Sequence, residues 1–258
     1  MTSPLPTLFI SHGAPSLVLE AVPARDFLAG LAATLPRPRA IVVASAHWLT
    51  DAPTVDTVLR PSTIHDFSGF PPELYAMRYA APGAPELATR IRALLAAGDM
   101  ACTGTERGLD HGAWVPLTLL YPQADVPVLQ VSLQPQLGSA HHLKLGRLLE
   151  PLRHDGVLVI GSGSATNNLR ELDPGGSTPA WAREFDDWLH AAITAGDDGA
   201  LVDYLRVAPS ARRNHPTAEH YLPLLVALGA AGLGARGRAL HRSFTYGSLS
   251  MADYAFAN

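Results

Sequence analysis

The chain has very little sulfur and very little lysine: Cys102 is the single cysteine and Lys144 the single lysine among 258 residues. One thiol cannot form an intrachain disulfide or a thiolate zinc site, and a reducing, cytoplasmic setting is expected. Charge is also sparse, at 16% of residues with a formal net charge of -4. No run of Lys or Arg appears, so no basic field exists to hold nucleic acid. The most apolar long stretch, Tyr221 to Gly234, falls short of the ~20 residues of a membrane span and is broken by Pro223 and glycines, so it predicts a buried helix. The first residues lack the basic and apolar regions of a signal peptide, which predicts that the chain is not exported. No linker and no internal repeat is visible, and a single domain over residues 1–258 is expected.

What is present is apolar. Hydrophobic residues make up 47% of the chain, enough for a large core. Four short runs read as buried strands: Thr7 to Ser11 (TLFIS), Ala40 to Ala46 (AIVVASA), Val126 to Leu133 (VPVLQVSL) and Val157 to Gly161 (VLVIG). Between them, Pro85 to Ala97, Trp114 to Tyr121, Leu143 to Leu152 and Trp181 to Thr194 have helical spacing. The alternation predicts an α/β fold, a mostly parallel or mixed sheet with helices on both faces and its site at the carboxyl ends of strands. The stretches from Asp51 to Arg78 and from Ala195 to His215 have turn-rich patterning and read as long loops over one end of the sheet.

The strand ends carry the chemistry. The first run leads into His12, the second into His47 and Trp48, and the fourth into Ser162. His111 precedes an apolar helix, and His220 follows Thr217, a plausible N-cap that would place it in a first helical turn. Four imidazoles reaching one sheet edge suit a metal or catalytic site, although His12 or His47 taken singly reads first as a hydrogen-bonded turn histidine. His65, in the aromatic and glycine-rich loop to Phe70 and Pro71, could shape a pocket for a flat ligand. The remaining histidines have no such setting and read as solvated or helix-end residues. The sequence Gly161-Ser162-Gly163 lacks the third glycine of a dinucleotide fingerprint and the spacing of a serine nucleophile elbow.

Taken together, SHGAPS from Ser11, SAHW from Ser45, TIHDFSGFP from Thr63, DHGAW from Asp110, NLR from Asn168, EHYLPLL from Glu219 and GSLSM from Gly247 resemble the DOPA-dioxygenase-like branch of the class III extradiol ring-cleaving dioxygenases. That family is related to the protocatechuate 4,5-dioxygenase catalytic subunit. The resemblance implies His12, His47 and His220 as metal ligands and His111 as an active-site acid/base. It also implies a catechol pocket involving His65, Asn167, Trp48 and Phe70. Fe(II) is the implied active metal, zinc a metal such sites also take, and O2 with a small catechol, DOPA-like or another dihydroxyphenyl acid, the implied substrates.

Two departures follow. All ligands that can be placed are histidines, which leaves Glu219 open as a further ligand or as a partner of one. Where the family usually has a histidine before NLR, this chain has Asn167, whose amide does not titrate near neutrality. Reduced activity is therefore an expectation, with a non-catalytic peptide- or protein-binding relative and a zinc hydrolase as alternatives.

Overall fold

A computed structural model describes residues 4–258. Its strands are β1 (Thr7–Ser11), β2 (Ala40–Leu49), β3 (Thr54–Asp56), β4 (Thr103–Thr105), β5 (Val128–Leu133), β6 (Val157–Gly163), β7 (Arg236–His241), β8 (Phe244–Thr245), β9 (Leu249–Ser250) and β10 (Asp253–Ala257). Eight of them form one sheet in the order β4-β3-β5-β2-β6-β1-β10-β7. The inner strands β5, β2, β6 and β1 are parallel, while β10 and β3 run antiparallel to their inner neighbours. The sheet is thus mixed around a parallel centre, as expected.

The apolar runs are continuous because both faces of the inner strands are covered. Val42 and Ala44 of β2 enter one buried cluster, and Ile41 and Val43 enter the other. The helices are α1 (Pro23–Leu31), α2 (Pro72–Ala76), α3 (Pro85–Ala97), α4 (His111–Leu120), α5 (Gly138–Leu149), α6 (Ala180–Ala195), α7 (Asp198–Val202), α8 (Tyr204–Val207), α9 (Ala211–Asn214) and α10 (Leu222–Ala230). Helices α3, α5, α6 and α10 build the first cluster, and α1 and α4 the second. Every residue of α10 is buried, as the apolar stretch from Tyr221 predicted, and no helix among the described residues is long and apolar enough to cross a membrane.

Three local expectations change. β2 continues to Leu49, so His47 lies inside the strand rather than after it. Thr217 does not cap α10: the helix begins at Leu222 with Pro223 in its first turn, and His220 sits in the turn before it. Thr217 instead donates its hydroxyl to Glu219 Oε1 at 2.8 Å. The stretch from Ala195 to His215 is largely the short helices α7, α8 and α9 rather than loop. The C-terminal strands β7 and β10 had no clear signal, since edge strand β7 exposes Arg236 and Arg238, which dilute its apolar pattern.

Candidate metal centre

The site forms where β1, β6 and β2 end side by side. Ser11 pairs with Gly163 and Ser45 with Ser162, so the two histidine-bearing strands flank β6. His220 arrives from above, because Gly161 and Gly163 have no side chains: a Cβ on Gly161 would lie 2.0 Å from Pro223 O, and one on Gly163 2.1 Å from His220 O. The Ser164 N–H closes this contact by donating to His220 O at 3.0 Å. The glycines that superficially evoke a nucleotide loop thus serve close approach of the backbone that carries His220.

His12, His47 and His220 each offer a nitrogen to a common point, with these atoms within 4.8 Å of one another. Which nitrogen faces inward is set by what holds the other. Pro116 in α4 has no N–H to give the carbonyl four residues earlier, so Gly112 O is left free and accepts the Ser162 hydroxyl. With its proton so committed, Ser162 Oγ accepts from His12 Nδ1–H at 3.0 Å, leaving the His12 Nε2 lone pair for the centre. His220 Nδ1 lies 3.1 Å from Glu219 Oε1, which likewise frees its Nε2. His47 turns Nδ1 toward Asp66 Oδ2 at 3.8 Å and Nε2 toward His12 Nε2 at 3.0 Å. Two ring nitrogens this close require a proton or a cation between them.

Electrostatics favours the cation. Burial, then the neighbouring His47, His220 and His111, holds His12 well below the ordinary histidine pKa. Burial, then His111 and His220, pushes His47 down to about 2. Both rings are therefore neutral and ready to ligate at pH 7. Burial opposes ionisation of Glu219 and Asp66, but hydrogen bonds to His220 and His111 respectively outweigh it and hold each carboxyl down to about 2. Anionic carboxylates behind neutral imidazoles orient the rings and raise their basicity toward a metal. Zn(II) and Fe(II) both suit three imidazole donors with open positions. Glu219, engaged by His220 Nδ1 and Thr217, stands behind its neighbour and is not one of the clustered donors.

The centre opens into a cavity of about 320 Å³ lined by the three clustered histidines, His111, Asn167 and apolar side chains. A larger open groove at the other end of the strands, beside Arg39 and Glu86, has no ligating cluster among the described residues. His111 is the first residue of α4, with its ring centroid 3.8 Å from that of His47. Its backbone N–H donates to Asp66 Oδ1 at 3.0 Å, and Nδ1 lies 3.0 Å from the same oxygen, off the line of a good hydrogen bond. Asp110, fully buried, accepts from Ser45, Gln130 and Arg107 at 2.6, 2.7 and 2.8 Å and so locks the start of α4 against β2 and β5.

Of the residues expected at the pocket, Phe70 and Asn167 line it; His65 and Trp48 do not. His65 lies behind Phe67, its Nε2 bonded to Met77 O at 3.1 Å. Trp48, 5% exposed, packs under the Arg107 guanidinium, 5.0 Å from the ring centroid, because it follows His47 in a strand and points to the opposite face. Ser162, Asp66, Phe67, Leu169 and Tyr246 were not foreseen as site residues. Ser162 and Asp66 could have been found from their places beside strand-end and loop histidines. Two histidines set aside as solvated or helix-end residues, His142 and His215, are instead buried, and burial pushes each down to about 4.

A parallel-centred α/β sheet that gathers three imidazoles at its carboxyl edge, inside a largely apolar cavity with a fourth histidine, presents the donor set of a histidine metal site. Residues 7–257 match the family described as the catalytic LigB subunit of aromatic ring-opening dioxygenase, and the chain belongs to it. It is accordingly an oxidoreductase of the ring-opening dioxygenase type. A 4,5-DOPA dioxygenase extradiol from Beta vulgaris is 46% identical over 259 residues, covering 98% of this chain and 96% of that protein. One of the same name from Escherichia coli K12 is 42% identical over 88% of this chain and 85% of its own length. A crystal structure of an uncharacterized Escherichia coli K12 protein superposes with a TM-score of 0.81 at 35% identity, covering 97% and 99% of the two chains.

Proposed function

We propose that the chain opens the ring of a small catechol beside its two hydroxyls with O2, using Fe(II) held by His12, His47 and His220. The observation that supports this best is the convergence of three histidine ring nitrogens on the floor of a cavity whose walls are largely apolar. The metal, when bound, would supply Lewis acidity toward the catechol hydroxyls and a path for electron transfer from the ring to O2.

The chain's own residues bind, orient and move protons. Three uncharged ligands leave the full positive charge of the metal to stabilise a catecholate. His111, with Nδ1 beside Asp66, keeps Nε2 for exchanging the proton of the second hydroxyl, a task suited to an imidazole. Asn167 can donate and accept a hydrogen bond to a hydroxyl but cannot carry its proton. Phe67 and Phe70 flank the ring and keep water out. Oxygen uptake with a yellow ring-opened product, in Fe(II)-loaded protein under reducing conditions, is the expected result. Fully loaded protein that turns over no member of a catechol panel refutes it.

A further inference from the structure

Resting on that reading, we infer that Tyr246, backed by Glu20, forms the subsite for a protonated amine on the side chain of the catechol. Tyr246 lines the same cavity as the four histidines. Its hydroxyl donates to Glu20 Oε1, which also receives the Ser16 hydroxyl. Burial, then the bond to Glu20, holds the hydroxyl above the ordinary tyrosine pKa, so it stays protonated at neutral pH and keeps donating to the carboxylate. With its one proton so committed, the phenol oxygen has only lone pairs left to offer a ligand. That corner of the cavity therefore accepts hydrogen bonds and gives none.

The charge behind that oxygen is uncompensated. Glu20 is half-buried and makes no salt bridge among the described residues; Arg25, the nearest basic residue in the sequence, goes instead to Asp26 at 3.0 Å and to Val18 O at 3.3 Å. Both hydroxyls that reach Glu20 bond Oε1, so Oε2 has no hydrogen bond among the described residues. A carboxylate partly withdrawn from water without a countercharge is stabilised by a cation, and an ammonium bound to the phenol oxygen supplies the hydrogen bond and the charge together. The backbone holds the ring in place for this. Tyr246 has φ +50° in the turn between β8 and β9, a left-handed conformation that is costly for a bulky residue. Its carbonyl is pinned there by the N–H groups of Asp173 and Ser248, each at 2.9 Å.

The test uses two matched pairs that differ at the amine: DOPA against 3-(3,4-dihydroxyphenyl)propionate, both carrying the carboxylate, and dopamine against 4-propylcatechol, both without it. Calorimetric Kd is measured in zinc-loaded protein, which does not turn over, and kcat/KM in Fe(II)-loaded protein. In each pair the amine is expected to bind on the order of tenfold more tightly. Tyr246→Phe and Glu20→Gln should each bring both ratios to within about twofold of unity. Glu20→Gln should also tighten the propionate about threefold, because it removes the anion that faces it. Structural damage alone weakens all four ligands together and leaves the ratios as they are. Equal or weaker binding of the amine in either native pair overturns the inference, as do native ratios that both variants leave unmoved. Should zinc-loaded protein prefer the amines and lose that preference in the variants while Fe(II)-loaded protein opens no catechol, the amine subsite stands and the proposed activity falls. Absence of binding by every catechol refutes both.

Discussion

Ser162→Ala isolates the relay that begins at a proline and ends at the metal. In the native chain Pro116 leaves Gly112 O free, Ser162 fills it, and the spare lone pair of Ser162 Oγ fixes His12 with its proton on Nδ1. Removing the hydroxyl strips a buried carbonyl and a buried ring N–H of their partners at once. Two such losses cost about 1–3 kcal/mol of stability each at most, with partial relief where the ring reorients. The more telling effect is on the tautomer. Without its acceptor, the His12 proton can move to Nε2, which blocks the ligating lone pair. Losing such an orienting partner typically weakens metal binding ~10–100-fold, which is about 1.4–2.7 kcal/mol. Competition of each protein with a zinc-sensitive dye measures this directly, alongside urea midpoints of the metal-free forms. Ser164→Ala is the control, since that buried hydroxyl bonds Thr166 O and touches no histidine ring. It should lower stability and leave metal affinity unchanged. If Ser162→Ala and Ser164→Ala lose stability alike and bind zinc equally well, the relay does not set the tautomer and the reasoning is refuted.

Replacing His12, His47 or His220 singly by alanine should abolish stoichiometric metal at micromolar concentration, read by elemental analysis after dialysis; retained metal in all three variants removes the proposed ligand set. Asn167→His should raise turnover by roughly 10²–10⁴-fold if proton transfer is what the asparagine lacks, with metal content and catechol affinity unchanged. Full activity already present in the native chain, and unaltered in the variant, would assign the proton chemistry to another residue such as His111. Buried His142 and His215 titrate near 4 instead of the ordinary 6.5. Between those values the unfolded chain binds more protons than the folded one, so stability falls as pH drops from 6.5 and levels off below about 4, by on the order of 3 kcal/mol per histidine. Metal-free urea titrations at pH 7 and pH 5 should show the loss, and His215→Phe should shrink it; equal midpoints at both pH values contradict the argument.

The residue pattern by itself determined a good deal. Continuous apolar runs can be strands only if both faces are covered, which fixed the α/β class. Polar residues that follow such runs must lie at the carboxyl edge, which singled out His12 and His47 before any geometry was known. Only the tertiary structure decided which residues meet. His220 reaches the strand ends because two glycines of β6 admit its backbone, a contact between segments 57 residues apart whose only trace in the sequence is a pair of small residues. Trp48 and His47 are neighbours in the chain yet fall on opposite faces of a pleated strand, and the unexpected length of β2 settled that. Likewise Ser162 acts through a carbonyl that Pro116, 46 residues away, leaves unpaired. Periodicity reports burial along one element, whereas ligand geometry and tautomer depend on partners from several elements, and those partners are brought together only by packing.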